Sequence, residues 1–195
     1  MENRIRRKLV RLFLFFVQKS LRLCKFSSNE RYRNVSLWYF KQLGVVFDGK
    51  PKYINYDVDF DLTKPGLIHV GENTVIAKGT TVLTHDYSIE CGLISIGKTD
   101  DDYEMQFLKE VRIGRNSFIG YNCFILPGAR IGDNCIIGSG SVVHGVIPDN
   151  MMACGNPAKV ICKTTDWATK KYVEHQYVNG TPKKKNDFHE DTSLQ

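Results

Sequence analysis

The chain has 195 residues, 42% of them hydrophobic and 25% charged, with a formal net charge of +6. That balance excludes a disordered polymer and a bundle of membrane spans, and the length suits one domain with short appendages. The charge is confined: residues 1–26 hold eight Lys or Arg against Glu2 alone, a net +7, so the remainder stands at −1 and gives no support to a nucleic-acid partner.

In chain order, residues 1–26 read as a helix, because Ile5, Leu9, Leu12, Phe13 and Phe16 recur at three- and four-residue spacing among basic residues. Such a helix can lie on an anionic membrane surface or pack on the protein's own body, and both uses stay open. The apolar run "LFLFFV" is far shorter than the roughly 20 residues of a spanning helix. "QKSLRLCK" follows where a signal peptide would have small residues at a cleavage site, so no leader is expected. Residues 27–66 offer "NVSLWYF" and "KYINYDVDF" as short strand-like pieces, the latter alternating before a "KPG" turn.

From Val70 a period of six takes over. "VGENTV", "IAKGTT" and "VLTHDY" begin at Val70, Ile76 and Val82. "IGRNSF", "IGYNCF", "ILPGAR", "IGDNCI", "IGSGSV" and "VHGVIP" then begin at Ile113 and every sixth residue to Val143. Between the two sets, 31 residues separate Val82 from Ile113, one more than five sixes, so an off-register insert over about 87–110 is predicted; its polar run "KTDDDYEMQ" reads as a loop. Each row starts with an aliphatic residue. Outside the rows from Val82 and Val143, the fourth slot carries Asn or Gly, residue types that accept left-handed corners, and the fifth carries a small residue that can point inward. A helix needs a period near 3.6 and a hairpin sheet needs two, so a strict six points to a parallel β-helix.

Of the six cysteines, Cys123 and Cys135 fall in the small inward slots and none shows zinc-type spacing. They read as small buried hydrophobes in a reducing, cytoplasmic compartment. Beyond Lys163, "DWATKKYVEHQYV" reads as one helix and the rest as a polar tail. The expected organisation is therefore an N-terminal arm and lead-in over 1–51, a repeat domain over 52–163 and a helix with tail over 164–195.

These rows, with "IGDNCIIGSGSVVHGVIPDNMMACGNPAKVI" at 131–161 and its "GNPAKVI" ending, resemble the hexapeptide-repeat acyltransferases over roughly residues 52–163. Within that family the chain looks most like the maltose/galactoside and polysaccharide O-acetyltransferase branch. The resemblance implies a mainly β fold, a left-handed parallel β-helix with an N-terminal helical arm and a short C-terminal helix. It also implies acetyl-CoA as donor, a homotrimer with active sites between subunits, a sugar or glycan acceptor and no metal. An enzyme of cell-surface or capsular polysaccharide assembly is expected, cytoplasmic, with a basic arm that could hold it at the inner face of the membrane or pack on the trimer.

In the register from Val82, His85 takes a fourth, corner slot beside the insert, and the resemblance makes it the general base. Acyl transfer to a hydroxyl needs such a group, and an ordinary imidazole titrating near 6.5 can take the alcohol proton and pass it to the leaving thiolate. Asp86 falls in the inward fifth slot, where an unpaired carboxylate is costly, so either the coil opens there or Asp86 is paired. Asn55, in "YINYD", resembles an active-site asparagine of the sugar acetyltransferases; Asp57 is a weaker acceptor contact, and Asp86 a third. For acetyl-CoA the resemblance implies Gly120, Tyr121, Ser139, Gly140, Lys159 and Lys163. Where relatives often have Thr-Lys, this chain has His144-Gly145, leaving His144 as a substitute donor. Alternatives are an amino-sugar-nucleotide N-acetyltransferase, a serine O-acetyltransferase, and a scaffold subunit built on the same coils. A three-histidine metal enzyme would need His69, His85 and His144, which lack a pair close in sequence.

Overall fold

The computed structural model describes residues 12, 13, 16, 17, 19, 20, 29–100, 102–175, 177 and 178. Most of the expected arm, residues 1–11, 14, 15, 18 and 21–26, and most of the polar tail lie outside them. The chain is a left-handed parallel β-helix. Its strands stack into three faces, whose inward columns are the repeat's aliphatic slots. Face A stacks β1 (Val46–Asp48), β4 (Ile68–Gly71), β9 (Val111–Ile113), β12 (Arg130–Ile131) and β15 (Val146–Ile147). It aligns Phe47, Val70, Ile113, Ile131 and Ile147.

Face B stacks β2 (Tyr53–Ile54), β5 (Val75–Ile76), β10 (Phe118–Ile119), β13 (Ile136–Ile137) and β16 (Met151–Gly155). Face C stacks β3 (Asp59–Phe60), β6 (Thr81–Val82), β11 (Phe124–Ile125) and β14 (Val142–Val143). Ile54, Ile76, Ile119, Ile137, Val82, Ile125 and Val143 are fully buried, each worth about 1.5–3 kcal/mol on removal from water.

The corners explain the remaining slots. Asn73, Asn116, Asn134 and Asn150 have φ of 56°, 54°, 56° and 61°. Their side-chain amides stack as a ladder with bonds of 2.8, 3.1 and 2.9 Å. The fifth slots do more than fit: Thr74, Ser117 and Thr80 donate hydroxyl bonds of 2.6, 2.9 and 2.9 Å to Gly carbonyls one rung on. Cys123 Sγ donates likewise to the Gly138 carbonyl and Cys135 Sγ to the Pro148 carbonyl, and burial pushes both thiols up. Second-slot glycines stand where rungs approach; a Cβ on Gly120 would lie 2.6 Å from the Ser139 amide nitrogen.

Three departures from the sequence expectation stand out. First, "NVSLWYF" is helical, lying within α1 (Asn29–Gln42). Its strand-forming residues are overridden by the need to close the open end of the coil. Tyr32, Ser36, Tyr39 and Phe40 turn inward, Ser36 Oγ donates to the Ile54 carbonyl at 2.7 Å, and Phe40 meets Phe60 edge-on at 4.9 Å. Second, β1 already stacks on β4, so the coil starts before residue 52.

Third, the last coil is short. Only His144 and Gly145 separate β14 from β15, so Asn134 and Asn150 stack 16 residues apart where Asn116 and Asn134 stack 18 apart. The inward residue is Ile147, four positions after Val143, so the six-residue row read from Val143 ends early. The insert is not all loop: α2 (Ser88–Ser95) lies between the two strands of the antiparallel pair β7 (His85–Asp86) and β8 (Phe107–Leu108). The "GNPAKVI" segment turns back as β17 (Ala158–Lys163), antiparallel to β16, and leads into α3 (Thr164–Val173). No helix among the described residues is long and apolar enough to cross a membrane.

Candidate active site

His85 leaves β6 at the corner between faces C and A, where the coil opens into the insert. Directly beneath it, on the preceding rung, Asp61 leaves β3 at the same corner. The Asp61 side chain is 3% exposed and its Oδ2 accepts from His85 Nδ1 at 2.5 Å. The same oxygen accepts from the Thr84 amide at 2.9 Å, Thr84 Oγ1 at 2.6 Å and the His85 amide at 3.1 Å. Oδ1 accepts from the Thr63 amide at 2.9 Å. Burial opposes ionisation of this carboxyl. The bonds from Thr84, His85 and Thr63 outweigh it and hold Asp61 well below the usual carboxylate range.

The consequence for the ring is a fixed tautomer. An ionised Asp61 can only accept, so Nδ1 carries the proton and Nε2 carries the lone pair. The His85 side chain is 28% exposed, and no hydrogen bond to Nε2 is formed among the described residues. Tyr87 stands edge-on to the imidazole with centroids 5.7 Å apart and is itself exposed. An imidazole oriented by a buried carboxylate, with its other ring nitrogen open, is chemically able to serve as a base.

The predicted residues divide between two edges of the prism. Asp86 is exposed rather than inward, because the coil opens at β7. It accepts from the Ser88 amide at 2.7 Å, and bonds from Ser88 draw its carboxyl below the ordinary range. It forms no hydrogen bond to the His85 ring; Asp61 does. His144 shares the C–A edge two rungs further on and is exposed.

Asn55 and Asp57 lie on the other edge, between faces B and C. Asn55 is buried, donates to Tyr53 Oη at 2.8 Å and accepts from the Asp57 amide at 3.0 Å, so both its polar atoms hold the corner. Asp57 is exposed, 3.8 Å from Lys78 Nζ. Gly120, Tyr121, Ser139 and Gly140 continue that edge: the Tyr121 amide donates to Ser139 Oγ at 3.1 Å and the Gly140 amide to the Tyr121 carbonyl at 2.7 Å. Lys159 and Lys163 are exposed on β17. His69 sits elsewhere, on the outer side of face A, held 3.1 Å from Asp48 and 3.5 Å from Glu110.

Asp61 was not among the residues singled out in the sequence. "DVDFDL" alternates polar and apolar residues, so Asp57, Asp59 and Asp61 look alike as outward strand positions. Only the stacking of Phe60 under Val82 brings Asp61 beneath His85.

Comparison with known proteins bears on the family and the fold. A family model, bacterial transferase hexapeptide (six repeats), matches residues 110–145. Protein CapG of Staphylococcus aureus is 34% identical over 138 residues, 71% of this chain and 77% of that protein. Galactoside O-acetyltransferase of Escherichia coli (strain K12) is 30% identical over 128 residues, 66% of this chain and 59% of that protein. The chain spans less than two thirds of the length of several such relatives. Among solved structures, a maltose O-acetyltransferase from Clostridium difficile 630 superposes with a TM-score of 0.51 at 29% identity, covering 76% of this chain and 84% of that one.

Proposed function

The chain belongs to the bacterial hexapeptide-repeat transferases, and from that premise we propose that it is an acetyl-CoA-dependent O-acetyltransferase acting on a sugar hydroxyl, with His85 as general base. The observation that carries the reading is the buried Asp61 carboxylate 2.5 Å from His85 Nδ1. Nε2 takes the proton of the acceptor hydroxyl as its oxygen attacks the thioester carbonyl. The tetrahedral intermediate places negative charge on the former carbonyl oxygen, which corner backbone N–H groups on this edge would stabilise. Its collapse breaks the carbon–sulfur bond, and the imidazolium returns the proton to the departing thiolate. Asp61 orients the ring throughout and favours the transient cation. Galactosides and maltose are the acceptors named for two relatives, which supports a sugar here.

A homotrimer completes the site. His85 and the Asn55–Asp57–Tyr121–Ser139 edge lie on different edges of one prism, and a threefold arrangement can face one copy's C–A edge with another's B–C edge. The outer columns favour it. Face A presents Val46, His69, Arg112, Arg130 and Val146, polar through its middle, whereas face B presents Tyr53, Val75, Phe118, Ile136 and Met152 without a charge. The apolar face is the one suited to burial between copies. In that assembly Asp57 and Asp86 contact the acceptor, Asn55 shapes the edge, and Gly120, Tyr121, Ser139 and Gly140 line the pantetheine path. His144, Lys159 and Lys163 meet the polar end of the donor. The enzyme would work in the cytoplasm at the inner face of the membrane, in cell-surface polysaccharide assembly, where its basic arm suits a surface-bound acceptor.

The test is the thermal midpoint with and without acetyl-CoA, for the native chain and for His85→Ala, with acetyl transfer measured in parallel. At 100 times its dissociation constant a ligand stabilises the fold by about 2.7 kcal/mol. Both proteins should shift, and only the native chain should turn over. No shift in either removes the donor site, and full activity in His85→Ala removes the base.

A further inference from the structure

The capped end of the coil carries an apolar surface that the fold does not use. α1 buries one side against the first rung and leaves Val35 and Trp38 on the other, with Trp38 43% exposed. The described helical residues of the arm lie over it. Val17 packs against the core, the Phe13 ring meets Trp38 edge-on at 6.4 Å, and Leu12 and Phe13 remain 54% and 58% exposed. Aromatic and aliphatic side chains are thus gathered from two separate segments, and one of them, the arm, concentrates in its sequence eight basic residues against one acidic.

We propose that this end of the molecule docks on an anionic lipid bilayer, with Phe13 and Trp38 entering the boundary between headgroups and acyl chains. The pairing of an apolar aromatic rim with concentrated positive charge is what an interfacial anchor requires. Charge also argues against a second copy of the chain as occupant: two arms of net +7 brought together repel, whereas anionic headgroups neutralise them. The inference extends the amphipathic arm to a composite surface in which α1 takes part.

The docked orientation has a consequence for the site. Asp61 follows β3 on the outermost rung of face C and His85 follows β6 on the next. Helix diameter and rung spacing then put the pair within about 15 Å of the outer surface of α1. An acceptor held in the same bilayer would reach His85 without leaving the surface, which assigns a lipid-anchored saccharide as acceptor. That clause rests on the proposed acetyl transfer; the docking does not.

The experiment uses the full chain carrying Trp167→Phe, so that Trp38 is the sole reporter. It is mixed with phosphatidylcholine vesicles with or without roughly 30% phosphatidylglycerol. Expected are co-sedimentation and a blue shift of Trp38 emission with the anionic vesicles only, weakening about tenfold or more as salt rises from about 0.05 to 0.5 M. Leu12→Ser with Phe13→Ser should weaken partitioning about tenfold while leaving the thermal midpoint in place. Arg4→Gln, Arg6→Gln and Arg7→Gln together should do the same by removing charge alone. No binding to anionic vesicles, or binding unchanged by both variants, overturns the proposal. So does loss of self-association in place of vesicle binding, which would make the patch a subunit contact. Vesicle binding without any acetyl-CoA shift would retain the docking and remove only the acceptor assignment.

Discussion

Replacing Asp61 by Asn isolates the feature on which the proposed chemistry depends. The amide can keep a carbonyl oxygen at the Oδ2 position, where it still accepts from Thr84 and His85, but its NH2 then faces the Thr63 amide that Oδ1 accepts at 2.9 Å. One buried hydrogen bond is lost and four lose their ionic partner, a cost of about 2–3 kcal/mol in stability. The larger effect is on the transition state. An imidazolium and a carboxylate about 4 Å apart attract by about 4 kcal/mol at an effective dielectric near 20. Part of this is already expressed in the ground state as the hydrogen bond. A differential of about 3–4 kcal/mol remains, equal to a fall of roughly 10²–10³ in kcat/KM. Initial rates of thiol release from acetyl-CoA with the best acceptor measure it, well below the variant's melting point. The double variant with His85→Ala should be no slower than His85→Ala alone, because the two residues act as a unit. A kcat/KM within about threefold of the native chain would refute a base oriented by Asp61.

Asp61 also makes an acid-stability signature. Its folded carboxyl lies below the ordinary range, so its stabilisation is whole above about pH 4 and is lost as pH falls from there toward the folded value. Urea melts from pH 5 to 3 should show a shallower decline for Asp61→Asn than for the native chain, and parallel declines would contradict the assignment. In the amide ladder, Asn116→Ala combines a φ of 54° with two lost side-chain bonds, and should cost about 2–3 kcal/mol. Asn116→Gly tolerates the φ and should cost less, about 1–2 kcal/mol, in the same urea melts. On the outer column of face B, Phe118→Lys should convert a trimer into monomers by light scattering and abolish transfer, while Arg112→Ala on face A leaves the mass unchanged. A trimeric Phe118→Lys protein would place the threefold contact on another face.

The coil was readable because each row of six spells out one complete unit of structure: an inward aliphatic residue, a left-handed corner and a small inward side chain. The corner position of His85 was readable from the register, whereas the role proposed for it came from the family resemblance. What escaped depended on contacts between rungs, or on the ends. Val35, Trp38, Tyr39 and Phe40 are individually strand formers, and they become helical because α1 must cover Ile54 and Phe60. Asp61 looks like any outward carboxylate until the first coil's length is known. Asp86 keeps the expected step in sequence but not in space, since β7 has already left the coil. The short corner at His144-Gly145 passed as a full row because Val146 and Ile147 supply apolar residues on either count.

The amide ladder carries a further lesson about how such a protein can change. Asn73 and Asn116 bond at 2.8 Å although 43 residues separate them, where 18 suffice between Asn116 and Asn134. The 25 extra residues leave at His85 and return at Lys109, whose amide donates to the Thr84 carbonyl at 2.8 Å, and the stack continues as though nothing had intervened. Framework and insert are therefore decoupled. Segments of other lengths can be spliced at this point while the stack continues, so under the proposed acetyl transfer acceptor preference can diverge on a frame that stays fixed.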